Sequence, residues 1–253
     1  MSASASAGLR IAMWSGPRNI STALMRAWEN RDDTAVIDEP FYACYLLKTG
    51  VEHPGRDEVL AAQSTDADEV ARTLTGPIPA GKSIGYQKHM TQHMLPDMPL
   101  QWLDSVSNCF LIREPEAVVA SFTVQRPDAV AWELGFEQQC RLFDHVCDHL
   151  GSAPPVVDAS DVLRNPAGIL RALCARLGIA FSPRMLHWPA GPRASDGVWA
   201  RHWYGAVERS TGFAPYALPR VEPDAPKRQL VEECRPFYDR LAPYRLTAAT
   251  QFT

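Results

Sequence analysis

The sequence predicts an α/β protein with a mostly parallel central sheet flanked by helices on both faces. Short apolar runs alternate with helix-like segments from residue 9 to about residue 178, and the clearest runs end in turn-forming residues. That alternation is the pattern of strands joined by helical crossovers, which bury a sheet on both sides. No internal repeat or linker interrupts it, so residues 9–253 are expected to form one domain.

Leu9 to Trp14 is an apolar run that stops at Ser15-Gly16-Pro17, as a strand does. Ser21 to Asn30, rich in Ala, Leu and Met, reads as the following helix. Ala35 to Ile37 is a second strand ended by Asp38-Glu39-Pro40, Arg56 to Leu74 a polar helix, and Ser83 to Lys88 a third strand. Val106 to Ile112 is the clearest buried strand, and Pro115 to Thr123 the helix after it. Trp132 to Leu150 is strongly helical, Pro154 to Asp158 a short strand, and Asn165 to Leu177 an amphipathic helix stopped by Gly178. From Pro183 onward the chain is rich in Pro, Trp and Arg and shows no clear strand.

Composition narrows the function. Of 253 residues, 46% are hydrophobic, enough for a large core. No stretch approaches ~20 consecutive apolar residues, so no membrane span is expected. Residues 1–8 fall in a Ser/Ala-rich run without an apolar block, which reads as a disordered tail rather than a secretion signal and points to a cytoplasmic protein. The net charge of −4 argues against a nucleic-acid partner, which calls for a broad basic face. Six cysteines are scattered without paired spacing, so reduced thiols are expected. Cys140, His145, Cys147 and His149 lack C-x-x-C spacing; small thiols on an apolar helical stripe explain the cysteines, and no metal is expected.

Two segments compete as phosphate loops. Gly76 to Ser83 matches G-x-x-x-x-G-K-S, but Pro77 and Pro79 lack the N–H groups that such a loop points at phosphate. The match also lies before an extended segment, where a phosphate loop opens a helix. The turn Ser15-Gly16-Pro17-Arg18-Asn19-Ile20-Ser21-Thr22 instead leaves a strand and enters a helix, whose N-terminus favours an anion. Ser21 and Thr22 offer hydroxyl donors and Arg18 a bidentate cation, while Ser21 serves equally as a plain helix cap. A second constellation follows the strand to Ile112: Arg113-Glu114-Pro115, with Ser121 about two helical turns further on.

These motifs, in this order, resemble the cytosolic and Golgi sulfotransferase superfamily, which uses 3′-phosphoadenosine 5′-phosphosulfate (PAPS). Pro17 to Thr22 is similar to that family's 5′-phosphosulfate loop P-[KR]-S-G-[ST]-T. Phe110-Leu111-Ile112-Arg113-Glu114-Pro115 with Ser121 is similar to its 3′-phosphate motif. Ala159 to Pro166 with Leu177-Gly178-Ile179 resembles its "YEDL…P…FLG" segment, and Gly197 to His202 its G-x-W-x-x-H loop. The resemblance implies a P-loop NTPase-like fold and a donor site made of Gly16, Pro17, Arg18, Asn19, Ser21, Thr22, Arg113 and Ser121. Arg193 and Trp199 are further candidates for the 3′-phosphate and adenine, although both types are also ordinary surface packing.

The sequence departs from the pattern where the usual glycine is Ile20, which gives the backbone less freedom to curl around an anion. Arg18 stands for the usual lysine and is suited to neutralising leaving-group charge rather than donating a proton. For the base, Glu39 matches the tyrosylprotein-type glutamate, and His89 lies one residue from the histidine of the cytosolic type's K-T-H. Lys88 and His93 are candidates for a small-molecule acceptor pocket. Two other readings stay open: a P-loop kinase using Asp38 with Mg²⁺, and a non-catalytic nucleotide-binding relative, with a homodimer also open.

Overall fold

The computed structural model describes residues 8–217 and 224–248; the Ser/Ala run over residues 1–7 lies outside them. The chain begins with β1 (Leu9–Ser15) and α1 (Ser21–Glu29), then β2 (Thr34–Asp38), α2 (Tyr42–Thr49), α3 (Arg56–Ala62) and α4 (Ala67–Thr75). Next come β3 (Ile84–Met90), β4 (Ser107–Ile112), α5 (Pro115–Phe122) and α6 (Phe136–Leu150). β5 (Val156–Asp158), α7 (Ala159–Arg164), α8 (Pro166–Arg176), the single turns α9 (Ala200–Trp203) and α10 (Gly205–Glu208), and α11 (Ala225–Leu241) complete it.

The five strands form one sheet in the order β2-β3-β1-β4-β5, with every pairing parallel. β1 is therefore the middle strand. Ile11, Ala12, Met13 and Trp14 are wholly buried there, as a strand covered on both faces must be. Side chains alternate across the sheet. Ile11 and Met13 face a layer that includes Leu24 and Trp28 of α1, Tyr45 of α2 and Leu173 of α8. Ala12 and Trp14 face the opposite layer, with Leu74 of α4, Val119 of α5, Phe143 of α6 and Tyr238 of α11. Because all strands run the same way, their C-terminal ends share one edge, where the candidate site stands.

The structure revises several expected boundaries. The polar helix expected over 56–74 is two helices. Between them Gln63 is extended, and its side chain donates to the Glu39 carbonyl (3.1 Å) and accepts from the Ala43 N–H (3.1 Å). Asp66 then caps α4 by accepting from the Asp68 and Glu69 N–H groups. The helix expected over 132–150 is broken at Gly135, whose φ of 72° is left-handed. The sequence reading missed α2 and α11; α11 joins the core through Cys234, Tyr238 and Leu241 and carries Pro236 in its interior. The Gly76–Ser83 segment precedes β3 and carries no anion cradle. The Lys82 ammonium is spent on the Asp32 carbonyl (2.8 Å), and Ser83 N–H on that of Asp33 (2.9 Å).

Gly135 has no tolerance for a side chain, since a Cβ there would lie 2.5 Å from Thr91 Oγ1. Gly135→Ala is expected to destabilise the protein by about 2 kcal/mol or more, through left-handed backbone strain plus the clash. Urea denaturation of the variant beside the parent measures this.

Candidate active site

The turn after β1 is built for close approach. A Cβ on Gly16 would sit 2.6 Å from the Leu134 carbonyl oxygen, so only glycine lets the loop pass that backbone. Asn19 closes the turn: its Oδ1 accepts the Ile20 N–H (2.9 Å) and its Nδ2 donates to the Leu111 carbonyl of β4 (3.1 Å). Ile20 has φ −89°, an ordinary value, so the missing glycine costs no conformational freedom there. The left-handed residue is Arg18, with φ 54°. Ile20 occupies the N-cap of α1 and makes no side-chain cap bond, so Ser21 begins the helix rather than capping it. The first N–H groups of α1 lack the usual side-chain acceptor, the condition that favours an anion.

Arg18, Arg113 and Ser121 converge beside that helix end. Arg18 Nε donates to Ser121 Oγ (3.0 Å), and an Arg113 guanidinium N–H donates to the Arg18 carbonyl (2.5 Å). Among the described residues neither arginine is ion-paired with a carboxylate. Burial lowers the pKa of both, and at Arg113 the Arg18 charge lowers it further. Two half-buried, mutually repelling cations at a helix N-terminus favour an anion as their neighbour. A crevice of only about 10 Å³, room for a single water, opens at Arg113 and is lined by Gly16, Pro17, Asn19 and Gln139 with Val118, Leu134 and Phe136.

A second charged group sits where β2 and β3 end, and here charge is matched. The Lys88 ammonium donates to Asp38 Oδ1 (3.0 Å), Glu39 Oε1 (2.5 Å) and Tyr204 Oη (2.6 Å), which uses its three hydrogens. Asp38 is fully engaged: Tyr204 Oη–H reaches its Oδ2 (2.7 Å), and Gly197 N–H donates to the same oxygen (3.2 Å). A metal role for Asp38 would require breaking these bonds. Glu39 has φ 40° and is the most accessible of the three, with 11% of its side chain exposed against 1% for Lys88 and Asp38. Burial raises the Glu39 carboxyl above its ordinary range against the pull of Lys88, and Asp38 adds to the rise. Burial works to lower Lys88, but Asp38 and Glu39 outweigh it and hold the ammonium charged.

Lys88, which holds Glu39, and His89 are successive residues of β3 and face opposite sides of the sheet. His89 stacks on Trp14 (4.2 Å between centroids) in the layer with Phe41 and Trp102, and burial lowers its pKa to about 3. His93 is stacked against Tyr42 (4.6 Å) and Tyr45 (4.8 Å), and burial holds it far below the ordinary value. Arg193 and Trp199 are not brought to Arg113. Arg193 donates to the Pro189 carbonyl (3.0 Å) and borders Glu29, while Trp199 is core, packed edge-on to Tyr42 with its indole N–H on Tyr204 Oη (3.1 Å). The sequence reading missed Tyr204 and the buried bidentate pair of Arg26 with Asp196 (2.6 and 2.7 Å), which ties the 189–199 loop to α1. Partners this far apart in sequence leave no local signal.

A strand-turn-helix loop at the C-terminal edge of a parallel sheet is a P-loop-like architecture. The family described as "Sulfotransferase domain" matches residues 9–244, so the chain belongs to that family. Solved structures of the same fold include the sulfotransferase domain from the curacin biosynthetic pathway (12% identity, TM-score 0.52, covering 90% of this chain and 98% of that one). A sulfotransferase from Alicyclobacillus acidocaldarius is similar (12%, TM-score 0.54, 95% and 98% covered). In sequence the chain is 36% and 37% identical over 229 residues to the branched-chain-amino-acid aminotransferase-like proteins 2 and 1 of Arabidopsis thaliana. The match covers 90% of this chain and 40% of each relative, so the chain spans well under half their length.

The buried histidines make stability pH-dependent. The ordinary value is 6.5, and His89 in the fold stands at about 3 with His93 also far down. Below pH 6.5 the unfolded chain takes up these protons while the folded chain does not. Stability at these groups is therefore present above pH 6.5 and lost as pH falls toward 3, by up to about 1.4 kcal/mol per unit for each. Urea midpoints at pH 7 and pH 5 check this, and His89→Gln should flatten the dependence.

Proposed function

We propose that this chain transfers a sulfuryl group from PAPS to a hydroxyl or amine of a small-molecule acceptor. The observation that carries the reading is the Arg18–Arg113 pair at the N-terminus of α1, beside Ser121, with Asp158 acting on Arg113 only from beyond ion-pair contact. A donor with anionic groups at both ends answers two adjacent cations that lack a direct carboxylate partner. Bound PAPS would supply the sulfuryl group and a phosphate leaving group. In this reading Arg18, Ser21, Thr22 and the α1 amides hold the 5′-phosphosulfate, and Arg113 with Ser121 holds the 3′-phosphate. Arg18 neutralises charge that develops as the leaving group departs.

Glu39 is the base in this reading, with its Oε1 on Lys88 and its Oε2 left to take the acceptor's proton. A carboxyl raised by burial is better matched to proton abstraction near neutral pH than an ordinary one. The same shift means the carboxylate forms only as pH rises past its elevated value, so the acid limb of the rate profile is expected above the usual glutamate range. His89 is stacked on the far face of the strand and is assigned no proton transfer.

Calorimetric titration with 3′-phosphoadenosine 5′-phosphate (PAP) tests the donor site. Micromolar binding is expected, weakened about tenfold (~1.4 kcal/mol) or more by Arg113→Ala. Absence of PAP binding, or tighter binding of Mg-ATP, would reject the reading in favour of a kinase-like site. Glu39→Gln is expected to keep PAP affinity while lowering transfer of ³⁵S-sulfate to an acceptor panel by roughly 100-fold or more.

A further inference from the structure

Tyr204 ends α9, separated in sequence from Lys88 by 116 positions, and is 4% exposed. Its hydroxyl is saturated. It accepts from Lys88 Nζ (2.6 Å) and from Trp199 Nε1 (3.1 Å), and its one hydrogen goes to Asp38 Oδ2 (2.7 Å), with Glu39 Oε1 at 3.3 Å. The Lys88 ammonium also lies 4.9 Å from the ring centroid. We propose that Tyr204 is a positioning residue for the transfer reaction: its hydroxyl fixes Lys88 and Asp38 so that the ammonium meets only one oxygen of Glu39 and the other is left for the acceptor.

This role for Tyr204 rests on reading Glu39 as the base, and it follows from the hydrogen-bond valence of Lys88. Lys88 has three hydrogens and three acceptors, two of them carboxylates. Without the third acceptor, one N–H would be buried unmet, and the ammonium would be free to swing between Asp38 and Glu39. Without the hydroxyl as donor, Asp38 would lose its shortest hydrogen bond, and more of its charge would act on Glu39. The charged and titratable groups around Glu39 are Asp38 on its own strand, Lys88 from β3, Tyr42 from α2 and Tyr204 from α9, with Arg26 of α1 acting on Asp38. Of these, Tyr204 alone comes from the C-terminal third and bridges Asp38 to Lys88 through one atom. Its placement also depends on the loop that Asp196 anchors to Arg26.

The test reads Glu39 directly. In protein carrying ¹³C-carboxyl glutamate, the Glu39 resonance is assigned by its loss in Glu39→Gln and followed against pH. Tyr204→Phe is expected to raise the Glu39 titration midpoint by about one unit, while PAP affinity by calorimetry stays within about twofold. An unchanged midpoint overturns the proposal. Should Tyr204→Phe fail to fold, 3-fluorotyrosine at position 204 keeps the shape while making the hydroxyl a better donor and poorer acceptor. The midpoint should then fall, and an unmoved midpoint again overturns the proposal. Loss of PAP binding by the parent protein would instead reject the sulfotransferase reading, and the Glu39 titration separates the two failures.

Discussion

Burying a cation costs several kcal/mol unless opposite charge meets it, and this molecule treats its buried cations in two ways. Arg26 and Lys88, each 1% exposed, are ion-paired, with Asp196 and with Asp38 and Glu39. Arg18 and Arg113 sit half-buried, with hydrogen bonds to a hydroxyl and a carbonyl and no carboxylate in ion-pair contact. The Arg26 pair ties a loop to α1, and the Lys88 pair holds the ends of β2 and β3. In the proposed reading the two arginines without a carboxylate contact are the ones that an incoming anion would meet.

The sheet order makes this arrangement compact. β1 lies between β3 and β4, so the loop after β1 faces Arg113 across one strand boundary and the Glu39–Lys88 pair across the other. Asn19 and Gln139 both donate to the Leu111 carbonyl at the end of β4, and Gln139 also donates to the Trp14 carbonyl of β1. Those bonds join the donor-side loop to the sheet edge. In the proposed reading the donor at α1 and the base after β2 lie at the same edge of the sheet, as in-line transfer demands. Coverage of 40% of the Arabidopsis relatives means that what those proteins do as wholes rests on more than the region shared here.

Much of the frame was legible because β1 and β4 each contain four successive apolar residues, Ile11 to Trp14 and Cys109 to Ile112, and are followed by punctuating residues. The break at Gln63 was not, because it is made by two hydrogen bonds to residues of another segment. α11 was hidden by its interior proline and by a face that buries only Cys234, Tyr238 and Leu241. At the site, Arg18, Arg113 and Ser121 could be read from spacing, since each follows a strand end or lies on the next helix. Trp199 could not be placed, because indole chemistry alone does not distinguish an adenine platform from a core side chain. Tyr204 had no signal: its role comes from meeting Lys88 across the fold.

The backbone adds an independent line of argument. Among the described residues, Arg18 and Glu39 alone combine a side chain with positive φ, and they are the two assigned leaving-group stabilisation and proton abstraction. Such conformations cost of order 1 kcal/mol or more each and persist only where surroundings over-determine them. At Arg18 the carbonyl is held by Arg113 and the side chain by Ser121. At Glu39 the N–H is held by the Lys88 carbonyl (2.9 Å), the carbonyl by Gln63 and the carboxylate by Lys88. A relaxed backbone at either position would turn the side chain away from the shared edge of the sheet. With Arg18 left-handed and Ile20 in an ordinary conformation, the guanidinium reaches Ser121 while Ile20 packs against the core beneath α1.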